Sequence, residues 1–191
     1  MIKSVFTRMD LYQEIPKNSI GAEIGVARGL NAIYLNHIIK PSLLYLIDQW
    51  DENQPALDYS GQYNKHKINL KNRAKIKNYY KEVKKLFELH ENVTVKRLRS
   101  DLWLESIEDN TLDWIYIDTS HQYNQTKKEL DLSVKKVKKN GLICGHDFCV
   151  NPIWADGVIA PVIDLIQQQK IEMIAMSTEP LPSFMCKNNV E

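Results

Sequence analysis

Much that would steer a reading is missing from this chain of 191 residues. No apolar run approaches the roughly 20 residues that a membrane span needs. Residues 1–8 lack the apolar core of a secretion signal. The three cysteines, Cys144, Cys149 and Cys186, are odd in number and have no metal-site spacing. Cys144 sits in an apolar, strand-like run and reads as a buried free thiol. Together these points favour a reducing cytoplasm. An excess of one charge is missing too: 25 Lys and Arg face 24 Asp and Glu, a net charge of +1. The molecule as a whole therefore has no bulk electrostatic case for nucleic acid or membrane. No repeat, low-complexity block or linker divides the chain, and its length suits a single domain over 1–191 with a substantial core.

Two phosphate signatures are also absent. Gly21-Ala22-Glu23-Ile24-Gly25-Val26-Ala27-Arg28-Gly29 reads as an apolar strand, a tight turn and a helix start. It is not G-x-G-x-x-G, so it lacks the glycine pair that admits a pyrophosphate, and no Walker lysine follows it. Glycine at the turn still lets backbone N–H groups approach a ligand, because no Cβ obstructs them. With Glu23 beside the turn and Arg28 the one obvious basic group, a nucleoside with a cationic or zwitterionic tail fits better than a polyphosphate.

What is present alternates strand and helix. Strands are expected at 20–25, 43–48, 93–98, 112–118 and 142–147, with closing strands at 171–176 and 183–186. Helices are expected at 29–39, 64–89, 102–108, 122–138 and 157–169. Pro161 is tolerable in a first turn and would start the last helix near Ala160. In the helix at 29–39, Leu30, Ile33, Tyr34, His37 and Ile38 are expected on the inner side. Lys139-Asn140-Gly141 is expected to stop the helix at 122–138 and turn the chain. The continuous apolar run Leu43–Ile47 suits a strand buried on both faces, hence a parallel sheet. The order predicts a Rossmann-like, doubly wound, mostly parallel seven-stranded sheet with helices on both faces and a closing antiparallel strand. Residues 1–19 form an amphipathic lead-in that could cap the sheet or cover a ligand. The aromatic-rich stretches 50–66 and 148–156 are the other lid candidates. The helix at 64–89 carries nine Lys or Arg between Lys65 and Lys85, read as a solvated face with an anionic partner as the alternative.

Ligands in such sheets sit beyond the carboxyl ends of the strands, and polar groups recur there. Glu23 and Gly25 end the first strand, and Asp48 the second, 23 residues beyond Gly25 and placed for a ribose. Ser100 and Asp101 follow the third strand. Asp118 ends the fourth, with His121 three residues on, and His146-Asp147 ends the fifth. Each acid could instead cap the next helix. The first group suits an adenosine-like ligand. In the second, two carboxylates can hold Mg²⁺ through oxygen, histidine shifts the preference toward Mn²⁺, Fe²⁺ or Zn²⁺, and either histidine could act as a general base.

The segment Glu23–Gly29 resembles the first motif of class I S-adenosylmethionine-dependent methyltransferases, and Leu46-Ile47-Asp48-Gln49-Trp50 resembles their second-strand motif. Ile117-Asp118-Thr119-Ser120-His121-Gln122-Tyr123 and Lys139-Asn140-Gly141-Leu142-Ile143-Cys144-Gly145-His146-Asp147-Phe148 resemble a small single-domain branch with I-D-x-x-H-x-Y and G-H-D-[YF] signatures. The likeness covers residues 20–187. It implies S-adenosyl-L-methionine as cofactor, with Glu23, Gly25 and Gly29 along its methionine and ribose side. It further implies Asp48 on the ribose hydroxyls, Ser100 and Asp101 beside the adenine, and Asp118 lining the cofactor. Asp118 and Asp147 fall where related catechol-type O-methyltransferases place metal-binding acids, although Phe148 stands where those enzymes have a polar ligand. The implied reaction is methylation of a small-molecule or sugar hydroxyl, with His121, His146 and Asp147 as the catalytic group and a divalent metal as an optional aid. The rivals are a nicotinamide-dependent oxidoreductase, a non-catalytic cofactor-binding module and a nucleic-acid modifier. A homo-oligomer is compatible with all of these.

Overall fold

The structure is a computed structural model and describes residues 1–51 and 70–190. The lid expected at 50–66, apart from Trp50 and Asp51, lies outside the described residues, as do Lys65 and Lys67 at the start of the basic stretch.

The elements run β1 (Lys3–Val5), α1 (Arg8–Tyr12), β2 (Ile20–Ile24), α2 (Leu30–Ile39), β3 (Leu43–Asp48), α3 (Leu70–Leu86) and β4 (Val93–Arg97). They continue with α4 (Ser100–Ser106), β5 (Leu112–Ile117), α5 (Tyr123–Lys136), β6 (Val137–Gly145), α6 (Ile159–Gln167), β7 (Ile171–Ser177) and β8 (Phe184–Asn188). The sheet order is β1-β7-β8-β6-β5-β2-β3-β4. The block from β6 through β5, β2 and β3 to β4 is parallel, and β8 lies antiparallel between β6 and β7. The doubly wound reading therefore holds, with one strand more than expected. β1 adds to β7 in parallel; three residues are too short to show a strand period, so the lead-in reads as a helix from sequence alone.

Strand residues alternate between two cores, as the pleat requires. Trp114 and Tyr116 of β5 face one cluster with Leu35, Leu44 and Leu46. Ile115 and Ile117 face the other with Trp103, Leu130 and Leu165. The strands run apolar because both faces are covered.

Two helix expectations need correcting. In α2 the inner residues are Ala32, Leu35 and Ile39, with Ile38 half-buried against them, while Leu30, Ile33, Tyr34 and His37 are exposed. This helix is apolar almost all round, so periodicity selects no face; the left-handed Gly29 at its N-cap (φ 78°) sets its entry angle instead. The expected stop at Lys139-Asn140-Gly141 lies inside β6. The pairing jumps from Leu112 opposite Val137 to Trp114 opposite Leu142, so the extra residues bulge out of the ladder. Asn140, at φ 65°, turns the chain within that bulge.

Strand order reverses between β2 and β5, where successive connections leave to opposite sides. A doubly wound sheet opens its ligand crevice at that point.

Candidate active site

Gly25 stands at the mouth of this crevice. Its N–H donates to the Ile47 carbonyl at 2.9 Å, and the Asp118 N–H donates to the Ile24 carbonyl at 2.9 Å. Gly25 has φ 90°, and a Cβ there would lie 1.9 Å from the Asp118 carbonyl oxygen. Only glycine lets the ends of β2 and β5 close to this distance. The turn is braced by Asp48, whose carboxylate accepts from the N–H of Ala27 at 2.9 Å and of Trp50 at 2.7 Å. The Trp50 indole donates back to the Ala27 carbonyl at 2.8 Å. Burial raises the Asp48 pKa against the pull of these backbone donors.

Beside the turn opens a cavity of about 460 Å³, lined by Gly25, Ala27, Asp48, Ser100, Asp118 and Glu129 among others. That is within the usual size of a small-ligand site. Its floor is a polar network on α5. Buried Glu129 accepts from Thr119 Oγ1 at 2.6 Å, from Gln125 Nε2 at 2.8 Å and from the Ser100 hydroxyl. Burial raises the Glu129 pKa against these three donors.

Sequence reasoning missed Glu129, Thr119 and Gln125. The available signal was a glutamate three residues after Thr126 on the face that buries Leu130.

Gly25, Asp48, Ser100 and Asp118 thus gather at one cavity, and three other expected cofactor residues do not line it. Gly29 starts α2 and packs against α3, where a Cβ would meet Val83 at 3.1 Å. Asp101 is turned away: it is fully buried and bound by Arg99 at 2.6 Å and Lys128 at 2.8 Å. Burial would raise the Asp101 pKa, but these two cations outweigh it and hold the group at about 2. Its place in the first turn of α4 points it at the cations and away from the cavity.

Glu23 is buried behind the turn. One oxygen accepts from Asn31 Nδ2 at 3.0 Å, and Oε2 has no partner among the described residues. Burial pushes its pKa up to about 8. Asn31 in turn accepts from the Tyr12 hydroxyl at 2.6 Å, which ties α1 to this strand end.

On the other side of Asp118 lies the second cluster. His121 Nε2 is 3.2 Å from Asp118 Oδ1 and 3.0 Å from Asp147 Oδ2, yet it makes a well-aligned hydrogen bond to neither. His146 Nδ1 is 3.1 Å from Asp147 Oδ1. Burial would lower the His121 pKa, but Asp118 and then Asp147 outweigh it and raise it. Burial would raise the Asp147 pKa, but His146 and His121 hold it below the usual carboxylate range. A nitrogen facing two carboxylates suits a proton or a metal ion at that point. One ligand atom from each of Asp118, His121 and Asp147 lies within 4.8 Å of the others, a spacing that could hold a cation. Both His121 (φ 58°) and Asp147 (φ 60°) adopt the left-handed backbone that residues with a Cβ avoid. The 148–156 stretch brings the Trp154 ring to 5.0 Å from His121.

A family model described as a methyltransferase domain matches residues 22–148. No curated protein sequence matches the chain. Among solved structures, a proposed rRNA methylase from Clostridium thermocellum superposes with a TM-score of 0.65 at 11% identity, over 96% of this chain and 94% of that one. A proposed methyltransferase from Streptococcus mutans, in complex with SAH, gives 0.63 at 12% identity over 95% of each chain. A proposed caffeoyl-CoA O-methyltransferase from Staphylococcus aureus gives 0.63 at 14% identity over 95% of this chain and 83% of that one. At these identities the likeness is one of fold.

Proposed function

The chain belongs to the methyltransferase-domain family, as an enzyme of the class I S-adenosylmethionine-dependent type, and on that premise we propose that it methylates a hydroxyl of a small molecule or sugar. The carrying observation is Asp118, which lines the cavity and also closes the His121–Asp147 cluster. A ligand in the cavity and an acceptor at the cluster would therefore meet at one carboxylate. When bound, S-adenosylmethionine supplies a methyl group on a positively charged sulfur.

This chain's residues supply the positioning, which accounts for much of such a catalyst's rate. Asp48 and Ser100 frame the nucleoside end. The unpartnered Glu23 oxygen, beside the glycine turn, suits the ammonium of an amino-acid tail. The fit therefore rests on a backbone that tolerates no Cβ and a buried acceptor that lacks a donor. Asp101 plays no part in it, since its two cations already occupy it.

At the cluster, His121 is placed to take the acceptor proton, with Asp147 steadying the imidazolium and His146 positioning Asp147. The same three groups, Asp118, His121 and Asp147, would hold a divalent cation. Such an ion supplies Lewis acidity that lowers the pKa of a hydroxyl. Two oxygens and one imidazole nitrogen suit Mn²⁺, Fe²⁺ or Zn²⁺ better than Mg²⁺ alone. The acids around the acceptor position favour an uncharged hydroxylated ring or sugar over a polyanion. No helix among the described residues is long and apolar enough to cross a membrane; one cytoplasmic domain completes the reading.

The test is transfer of labelled methyl from S-adenosylmethionine to a panel of hydroxylated small molecules and to RNA, before and after chelation. Label in a small-molecule hydroxyl, lost on chelation and restored by Mn²⁺, is expected. Label in RNA alone would overturn the acceptor class. Turnover unchanged by chelation would leave proton removal to His121 without a metal.

A further inference from the structure

The N-terminal segment carries a cation that is held, among the described residues, by one long ion pair. Arg8 is the first residue of α1. Its backbone N–H donates to Glu179 Oε1 at 3.0 Å, and that oxygen also accepts from Ser177 Oγ at 3.0 Å. The guanidinium Nε is 3.6 Å from the same oxygen. Charge-assisted N–H···O bonds are about 2.7–2.9 Å long, so the Arg8 head is near Glu179 without being hydrogen-bonded to it. Among the described residues Arg8 is partly buried and makes no side-chain hydrogen bond.

Its position follows from Tyr12, one helical turn further along the same face. Tyr12 packs edge-on against Tyr116 at 5.5 Å between ring centroids, and its hydroxyl reaches Glu23 through Asn31 at 2.6 Å and then 3.0 Å. These contacts seat α1 on the ends of β2 and β5. Arg8, in the helix that follows β1, therefore lies at the same end of the sheet as Glu23, Asp118 and Asp147.

An α-amino-acid tail needs two opposite partners side by side. Asp118 supplies the negative one, and the unpartnered Glu23 oxygen supplies an acceptor. Arg28, the one obvious basic group beside the glycine turn, is exposed and lies over the Tyr79 ring at 5.3 Å from its centroid. We propose that Arg8 binds the carboxylate of the cofactor's methionine tail, so that the N-terminal segment completes the cofactor site. The inference rests on the S-adenosylmethionine reading above. The same guanidinium chemistry could serve a carboxylate on the acceptor, and the experiment separates the two.

Calorimetric titration of S-adenosylhomocysteine and of 5′-methylthioadenosine, which lacks the amino-acid tail, into the wild type, Arg8→Met and Arg8→Lys decides it. Arg8→Met weakens S-adenosylhomocysteine by about 10- to 100-fold, the range for a lost bond to a charged group. Methylthioadenosine stays within about twofold, as for an undisturbed distant site. Arg8→Lys, which keeps the charge but not the forked geometry, falls between, and it still reads the effect if Arg8→Met does not fold. Equal weakening of both ligands would mean that Arg8 acts only through the fold, and would overturn the inference. No change in either would assign the guanidinium to Glu179 or the acceptor, and would also overturn it. A wild type that binds methylthioadenosine but not S-adenosylhomocysteine contradicts the tail site alone. One that binds neither removes the cofactor reading itself.

Discussion

Asp118 separates two regions that treat their buried polar atoms differently. On the cavity side, Glu129 is satisfied by Ser100, Thr119 and Gln125, and Asp48 by two backbone donors. On the far side, His121 Nε2, His146 Nε2, Asp147 Oδ1 and Trp154 Nε1 are buried with no hydrogen-bond partner among the described residues, as are Glu23 Oε2 behind the turn and Thr126 Oγ1 on α5. A buried polar group left unpaired costs about 1–3 kcal/mol, so native chains rarely keep several together. The cavity side is finished by folding and presents a shape. The far side is unfinished and needs a ligand, an ion or an acceptor to complete it. Substitutions in the two regions should therefore fail in different ways.

The largest separation is expected at Asp147. Replacing it with Ala should lower turnover by about 10²–10⁴-fold, the range for removing acid–base machinery, with S-adenosylmethionine affinity nearly unchanged. Parallel kinetics and calorimetry check this; equal loss of binding and turnover would merge the two regions. Gly25→Ala should act in the opposite sense. Its Cβ would lie 1.9 Å from the Asp118 carbonyl at φ 90°, so the ends of β2 and β5 must part. Strain of this kind costs about 1–3 kcal/mol, and thermal melting should show it together with loss of cofactor binding. Glu129→Ala leaves three donors unpaired and should lower both stability and affinity for adenosine by about 1–3 kcal/mol.

The pH response sharpens the contrast further. Glu23 holds its proton to about pH 8 in the fold, against an ordinary carboxyl of 4.5. Between those values the unfolded chain has released a proton that the native state keeps, so stability falls as pH rises. His121, raised above 6.5, acts in the same direction: its contribution is full below pH 6.5 and is lost as pH climbs through its folded pKa. Asp101, held at about 2 against 3.8, acts in the opposite direction, and its contribution is lost only as pH falls below 3.8 toward 2. Melting temperature should therefore decline from pH 5 to 8, and Glu23→Gln should flatten the lower part of that decline. The smallest effect is expected at Arg28, whose exposed stacking on Tyr79 is worth about 0.5–1 kcal/mol. Arg28→Ala should leave cofactor affinity unchanged.

How much of this was legible in the chain depended on the kind of signal. Strands buried on both faces announce themselves as apolar runs, and those of β3, β5 and β6 end on or within two residues of a carboxylate. Asp48, Asp118 and Asp147 were therefore visible, and so was the sheet they terminate. Asp101 followed the same rule yet does not line the cavity, because a strand-end position does not say which way the first turn of the next helix aims its side chains. Arg99 and Lys128 decide that, and Lys128 lies on another helix, α5. Glu129 was invisible for the converse reason: it comes from mid-helix and carries no motif. The inner face of α2 could not be read from a helix apolar nearly all round. Arg8 went unnoticed because only tertiary contacts through Tyr12 and Asn31 bring it over the strand ends. The nicotinamide alternative, open on the turn alone, is answered by membership of the family.

The most direct test titrates S-adenosylmethionine into the wild type and Asp147→Ala by calorimetry, with and without Mn²⁺. The account predicts one-site binding to both proteins, with a Mn²⁺ heat that the wild type shows and Asp147→Ala lacks. No S-adenosylmethionine binding to the wild type under either condition would contradict it.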